Sequence, residues 1–254
     1  MNILISNDDG IKAQGLIELA KSLSKVASVY VVAPDNQKSA ASHCISIRGN
    51  LKMTKVQVEG ATEAYSLSGT PADCVKLGLF VLGKRGITID AVYSGINHGG
   101  NLGTDVMYSG TVSAAAEGLF KGISSVAVSV NSHEAEYFEG ACKLAVDVLP
   151  KVIENKDKLG VVSINTPNTP VSEIKGVKVA VLGELQYHEW FDVLEESEDS
   201  VTYTYASVPE KLDCWTDETD AKLIDEGYAT ISVVKYDFRD GLGNKEIETW
   251  EVQL

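Results

Sequence analysis

The run Asn2-Ile3-Leu4-Ile5-Ser6-Asn7-Asp8-Asp9-Gly10 decides the reading of the fold. Ile3, Leu4 and Ile5 are apolar without alternation, as in a strand buried on both faces. Leu16, Leu19, Ala20 and Leu23 then recur at helical spacing, and a second apolar run, Val29-Tyr30-Val31-Val32-Ala33, stops at Pro34. Strand, helix and strand in that order form the unit from which parallel sheets are built.

The same alternation continues downstream. Thr70 and Pro71 are a capping side chain followed by proline in the first turn, which predicts a helix reaching about Leu82. Strands are expected at Ile89 to Tyr93, Val126 to Val130 and Val161 to Asn165, with helices from about Thr111 to Lys121 and Glu134 to Ile153 between them. The expected fold is therefore α/β, a Rossmann-like three-layer sandwich with a mainly parallel sheet, plus a β-rich C-terminal extension. Residues 1–175 form the core, and the loose alternation of Leu51, Met53, Val56 and Val58 reads as a β hairpin inserted near 51–67. Residues 176–254 carry short β-type runs and acidic stretches, an extension and arm rather than an independent domain. Trp190, Phe191, Trp215 and Trp250 in this part need burial, which a partner subunit would supply.

Composition limits the function. In 254 residues, 44% are hydrophobic, enough for a sizeable core. Lys and Arg number 22 against 36 Asp and Glu, a net charge of −14, which argues against polymeric nucleic acid or an anionic membrane as partner. Cys44, Cys74, Cys142 and Cys214 are widely spaced and read as reduced thiols. With no basic leader and no apolar span, the expected location is the cytoplasm.

The chemistry gathers at the ends of the strands. Asp8 and Asp9 are adjacent, so they share one target only if the backbone curls, and Gly10 permits that curl. Paired carboxylates at a strand end suit Mg²⁺, Mn²⁺ or Ca²⁺; the alternative is an Asx-type turn with solvated carboxylates. Ser94-Gly95-Ile96-Asn97-His98-Gly99-Gly100-Asn101-Leu102-Gly103 is a glycine-dense loop that lets backbone amides approach an anion, though it matches neither the dinucleotide fingerprint nor the Walker loop. Ser109-Gly110-Thr111 opens a helix whose N-terminus favours negative charge. The loop from Pro34 to His43 adds Ser39, Ser42 and His43. His43 reads as a general acid or as a structural residue, His98 as a loop residue, and His133 and His188 as surface residues.

Several of these segments, read together, resemble the SurE family of survival-protein nucleotidases. They are Asn7-Asp8-Asp9-Gly10; Val32-Ala33-Pro34-Asp35 with Ser39 and His43; Ser68-Gly69-Thr70-Pro71-Ala72-Asp73-Cys74-Val75; Ser94-Gly95-Ile96-Asn97 with Gly100-Asn101-Leu102-Gly103; and Tyr108-Ser109-Gly110-Thr111 with Ala115-Ala116-Glu117-Gly118. The resemblance spans roughly residues 1–130. It implies a metal-dependent phosphomonoesterase that hydrolyses nucleoside 5′- and 3′-monophosphates, with short polyphosphate as a further candidate. It also implies one divalent ion per subunit, Mg²⁺ or Mn²⁺ with Ca²⁺ as another bound ion, held by Asp8, Asp9, Ser39 and Asn97. Asp8 and Asp9 would be catalytic, and Asn101, Ser109, Gly110 and Thr111 would surround the phosphate. A homodimer with exchanged arms, pairing further into a tetramer, is the implied assembly. Two departures stand out: the family commonly has Gly where this chain has Ala40, and residues 171–215 match poorly. A covalent route through Asp8 is disfavoured, because the pair lacks the one-residue spacing of Asp-x-Asp. The alternative to an enzyme is a non-catalytic nucleotide- or flavin-binding module of flavodoxin-like fold.

Overall fold

The computed structural model describes residues 1–210, 212 and 215–236; Cys214, Trp250 and the arm beyond Tyr236 lie outside the described residues. The N-terminal half runs β1 (Asn2–Ser6), α1 (Gln14–Leu23), β2 (Ser28–Pro34), β3 (Met53–Val56), β4 (Glu63–Leu67), α2 (Pro71–Lys84), β5 (Ala91–His98) and α3 (Gly110–Leu119), with a 3-10 turn at Gly103–Met107 before α3. There follow β6 (Ser124–Val130), α4 (Glu139–Glu154), β7 (Val161–Thr166), β8 (Val177–Val179), β9 (Gln186–Glu196), β10 (Val201–Glu210), α5 (Asp220–Asp225) and β11 (Ala229–Val234).

Nine strands form one sheet in the order β3-β4-β2-β1-β5-β6-β7-β11-β8. From β4 through β7 every neighbouring pair is parallel, as the unbroken apolar runs predict. Helices α1 and α4 cover one face, where Leu16, Leu19, Ala141 and Ala145 join Ile3 and Ile5 in the core. On the other face α2 brings Cys74, Val75 and Leu82 against Leu4, Val32 and Val92. This is the three-layer α/β sandwich. Strand order runs from β1 through β2 to β4 on one side and resumes with β5 on the other, so the crevice where such sheets bind ligands opens at the carboxyl ends of β1 and β5.

Local chemistry accounts for the element that begins most sharply. Thr70 Oγ1 accepts from Asp73 N at 3.1 Å while the Asp73 carboxylate accepts from Thr70 N at 2.9 Å, a reciprocal cap on α2, with Pro71 already fixed in φ for the first turn.

Long-range contacts shape four of these segments. Residues 134–138 are not helical: Glu134 N donates to Ser132 Oγ, and Glu136 N and Tyr137 N both donate to Asn168 Oδ1 at 3.0 and 3.1 Å, so distant side-chain acceptors replace the first helical turn. The glycine-dense loop is half strand, since β5 continues to His98 beside β6 with a register shift between Ser94 and Asn97. The hairpin expected at 51–67 is present, β3 lying antiparallel to β4, and it is joined to the central sheet as its edge, with β4 parallel to β2. The described residues from 176 onward divide between two sheets: β11 pairs antiparallel with β7 and parallel with β8, extending the central sheet, while β9 and β10 form a separate antiparallel hairpin. Among the described residues, no helix is long and apolar enough to cross a membrane.

Candidate active site

At the tip of β1 the turn belongs to Asn7, not to the aspartates. Its Oδ1 accepts from Gly10 N at 3.2 Å and its Nδ2 donates to Gly10 O at 3.0 Å, with Gly10 at a φ of +100°. The Asx turn is present, but it leaves both carboxylates free for other work.

Asp8 is 5% exposed and faces the N-terminus of α3. Thr111 Oγ1 donates a short hydrogen bond to Asp8 Oδ1. Gly110 sits so close that a Cβ there would lie 2.8 Å from Asp8 Cβ and 2.9 Å from Oδ2, so only glycine admits the carboxylate. Burial pushes the Asp8 carboxyl up to about 6; the Thr111 hydroxyl pulls it down and the neighbouring Asp9 charge pushes it further up. Asp9 turns the other way, its Oδ2 accepting from His98 N at 3.1 Å, and burial raises its pKa against that donor.

Three loops converge on Asp8. The loop after β2 is strapped to the strand tip by Lys38 N, which donates to Asp8 O at 2.7 Å. There Ser39 Oγ accepts from Gln37 Nε2 at 2.8 Å, and Ala40 and Ser42 adopt left-handed φ values of 52° and 51°. Ser42 ties the loop to the 3-10 turn, its Oγ donating to Met107 O at 2.7 Å. His43 anchors the far end: Nε2 donates to Glu117 Oε1 at 2.9 Å, and Glu117, buried on α3, also accepts from Lys76 Nζ at 3.2 Å. From β5, Asn97 Nδ2 donates to Gly99 O at 2.8 Å, so its Oδ1 is the end of the amide not engaged by that bond. Asn101 is buried, held by its N to Asn165 Oδ1 and its Nδ2 to Ser129 Oγ, both at 2.8 Å.

Of the residues expected at a site, Asp8, Ser39, Asn97, Asn101 and Ser109 line one cleft of about 1070 Å³. Gly110 and Thr111 lie behind Asp8 rather than on the cleft wall, and Asp9 lies beside it against the end of β5. Ser109 Oγ accepts from Val112 N at 3.0 Å and so serves as the N-cap of α3. His133 is exposed, as expected of a surface residue, and from the surface it lines the mouth of the cleft, its ring 3.2 Å from the Cβ position of Gly99. Asp105 and Tyr187 also form the wall, joined by a short hydrogen bond from the tyrosine hydroxyl to Asp105 Oδ2. No local pattern marks these three, because 3-10 turn, post-β6 loop and hairpin meet only in the fold.

The cleft presents the Asp8 carboxylate, the Ser39 hydroxyl and the Asn97 amide, with the Asp9 carboxylate beside it, oxygen donors of the hard kind that suits Mg²⁺, Mn²⁺ or Ca²⁺. Two adjacent carboxyls held above their usual range are the electrostatic condition that a cation relieves.

The chain is similar to known proteins along nearly all its length. A model of the family described as survival protein SurE matches residues 3–189. A protein named 5′-nucleotidase SurE from Clostridium beijerinckii is 44% identical over 245 residues, covering 94% of this chain and 95% of the relative. Another of that name from Petrotoga mobilis is 39% identical over 258 residues, covering 98% and 99%. The crystal structure of the SurE protein from Aquifex aeolicus matches with a TM-score of 0.84 at 33% identity, covering 99% of this chain and all of that one.

Proposed function

The chain belongs to the SurE family, and from that membership we propose that it is a 5′-nucleotidase, a divalent-metal-dependent phosphomonoesterase that converts nucleoside 5′-monophosphates to nucleoside and phosphate. Nucleoside 3′-monophosphates and short polyphosphate are further substrates in this reading. The observation that supports it most is the buried Asp8 carboxylate set against the first turn of α3 at the switch point of the sheet.

Asp8, Asp9, Ser39 and Asn97 would hold one Mg²⁺ or Mn²⁺, with Ca²⁺ as an alternative bound ion. When bound, the ion supplies positive charge for the phosphoryl oxygens. The residues supply position. Thr111 and Gly110 fix the Asp8 carboxylate from behind, while the α3 N-terminus brings partial positive charge to the same place. Asn101 has a second amide hydrogen for a phosphoryl oxygen, since only one is committed to Ser129. Phosphoryl transfer depends chiefly on such positioning and charge stabilisation.

Phosphate release from AMP, with and without Mn²⁺ after EDTA treatment, tests the reading. Activity is expected to vanish in EDTA and return with metal. Asp8→Asn is expected to lower kcat at least about 10²-fold, several kcal/mol of lost charge stabilisation, with melting temperature nearly unchanged. Full activity in EDTA would sink the proposal. Nucleotide binding without metal-dependent phosphate release would instead mark a non-catalytic binding module.

In the same reading the working form is a homodimer, able to pair into a tetramer, because the hairpin of β9 and β10 leaves Phe191, Leu194, Tyr203 and Tyr205 exposed. Free Cys44, Cys74 and Cys142 support residence in the cytoplasm.

A further inference from the structure

Ser39 stands on a stretch, residues 35–50, that forms neither helix nor strand, so its place is set by what fastens that stretch. Ala40 and Ser42 both lie in the left-handed region, a conformation that non-glycine residues keep only where their surroundings enforce it. Lys38 N fastens one side to Asp8 O at 2.7 Å. Ser42 fastens the other to the 3-10 turn, its N donating to Tyr108 O at 3.1 Å and its Oγ to Met107 O. His43 adds a third point, bonded at 2.9 Å to Glu117, 74 residues on.

This third point is built more firmly than a surface ion pair. The Glu117 side chain is 6% exposed, and its two oxygens are shared between His43 Nε2 and Lys76 Nζ. Lys76 therefore balances the buried carboxylate even without the imidazole. The His43 ring lies flat on Phe120, centroids 5.6 Å apart at an interplanar angle of 12°, and Tyr236 meets both rings edge-on. Stacking and hydrogen bond together fix the imidazole in rotation as well as in position. His43 does not line the cleft, so it acts through the loop rather than on a substrate. Helix α3 is the common frame: Thr111 in its first turn bonds Asp8, and Glu117, about 9 Å further along the axis, bonds His43.

We propose that His43 and Glu117 are positioning residues for the metal, clamping the loop after β2 to α3 so that the Ser39 hydroxyl keeps a fixed place relative to the Asp8 carboxylate. The consequence for the metal rests on the reading of Ser39 as a ligand, while the clamp itself stands on the contacts of His43. An outer residue that orients a metal ligand typically governs affinity by about 10–100-fold.

Mn²⁺ binding to the EDTA-stripped, full-length protein is measured by calorimetry for wild type, His43→Ala, His43→Gln, Ser39→Ala and the Ser39→Ala/His43→Ala double variant. His43→Ala is expected to weaken Mn²⁺ binding by about 10–100-fold with an unchanged circular dichroism spectrum, and His43→Gln, which keeps a side-chain N–H donor, to restore most of the loss. Because His43 acts through Ser39, the double variant should bind Mn²⁺ no more weakly than Ser39→Ala alone. In metal-free protein the amides of Lys38 and Ser42, both hydrogen-bonded in the wild type, should exchange with solvent faster in His43→Ala, while those of β1 and β5 keep their rates. Should His43→Ala fail to fold, Phe120→Leu, which withdraws the stacked ring and leaves the hydrogen bond, is expected to weaken Mn²⁺ binding by about 2- to 12-fold, the worth of one aromatic pair. Losses that add in the double variant, a loss that His43→Gln leaves in full, or unchanged exchange at Lys38 and Ser42 would overturn the clamp. A wild type that binds no Mn²⁺ would overturn the metal reading of Ser39 instead, and amide exchange would still decide whether His43 holds the loop.

Discussion

At the scale of single residues, the site depends on side chains that never face the cleft. Thr111 touches Asp8 through its hydroxyl and nothing in the cleft. A group that orients a metal-ligating carboxylate typically governs metal affinity or activity by about 10–100-fold. Thr111→Val is accordingly expected to raise the Mn²⁺ concentration for half-maximal activity by about that factor, measured by metal titration of the EDTA-stripped protein. A second residue acts through its backbone. Ala40 holds a φ of 52°. An alanine in that region costs about 1–2 kcal/mol, whereas glycine costs about 0.5–1 kcal/mol through the unfolded chain. Ala40→Gly should therefore raise stability by about 0.5–1 kcal/mol in urea denaturation without removing activity. A loss of stability would mean that the loop is fixed by contacts that outweigh this strain.

At the scale of elements, α2 shows how a cap also holds a loop. Asp73 accepts from Thr70 N in its own helix and from Ser46 N across the loop after β2, at 2.9 and 3.0 Å. Burial alone would push this carboxyl up, but the Thr70 and Ser46 donors outweigh it and hold it below the usual carboxylate range. A carboxyl depressed in the folded state contributes stability that is present above its unfolded pKa and lost as pH falls through the folded one. Asp73→Ala is expected to cost about 1–3 kcal/mol near pH 7, with the difference from wild type shrinking below about pH 4. Denaturation curves at pH 7, 5 and 3 would check it, and a gap that grew at low pH would be the wrong sign. The elements legible in the sequence were those fixed locally: the apolar strands, the Thr70-Pro71 start of α2 and the opening of α3 at Ser109. The false first turn of α4 was not legible, because Asn168, thirty residues on, supplies the acceptor that undoes it. The hairpin of 51–67 was legible, but its docking onto the central sheet was not, since Val31 facing Ala64 is a parallel pairing that no local pattern announces. Asp8, Ser39, Asn97 and Asn101 lie in motifs legible in the sequence, and the fold brings them to one cleft. His133, Tyr187 and Asp105 belong to separate segments that only the tertiary fold brings to one wall.

At the scale of the whole molecule, the hairpin of β9 and β10 is the part least supported by its own chain. Val193, Phe191, Tyr203 and Tyr205 are between 53% and 64% exposed, more apolar surface than a monomer in water normally leaves bare. Light scattering is expected to report a dimer or tetramer at micromolar concentration, and replacing Phe191 and Tyr203 with Ser should shift the population toward monomer. A wild-type monomer with intact activity would assign the hairpin another role. The central place of β1 has its own consequence. Its strand meets β2 within thirty residues, but its other edge stays open until β5, and the Asp8 carboxylate finds Thr111 only 103 residues further along. A chain leaving the ribosome in sequence order thus carries this apolar strand half-paired through much of synthesis. Closing contacts so far apart in sequence is slow, and an unpaired strand edge invites association with other chains during that interval. In a cell, the yield of this protein is therefore expected to depend on how well one five-residue strand is shielded until its second neighbour emerges.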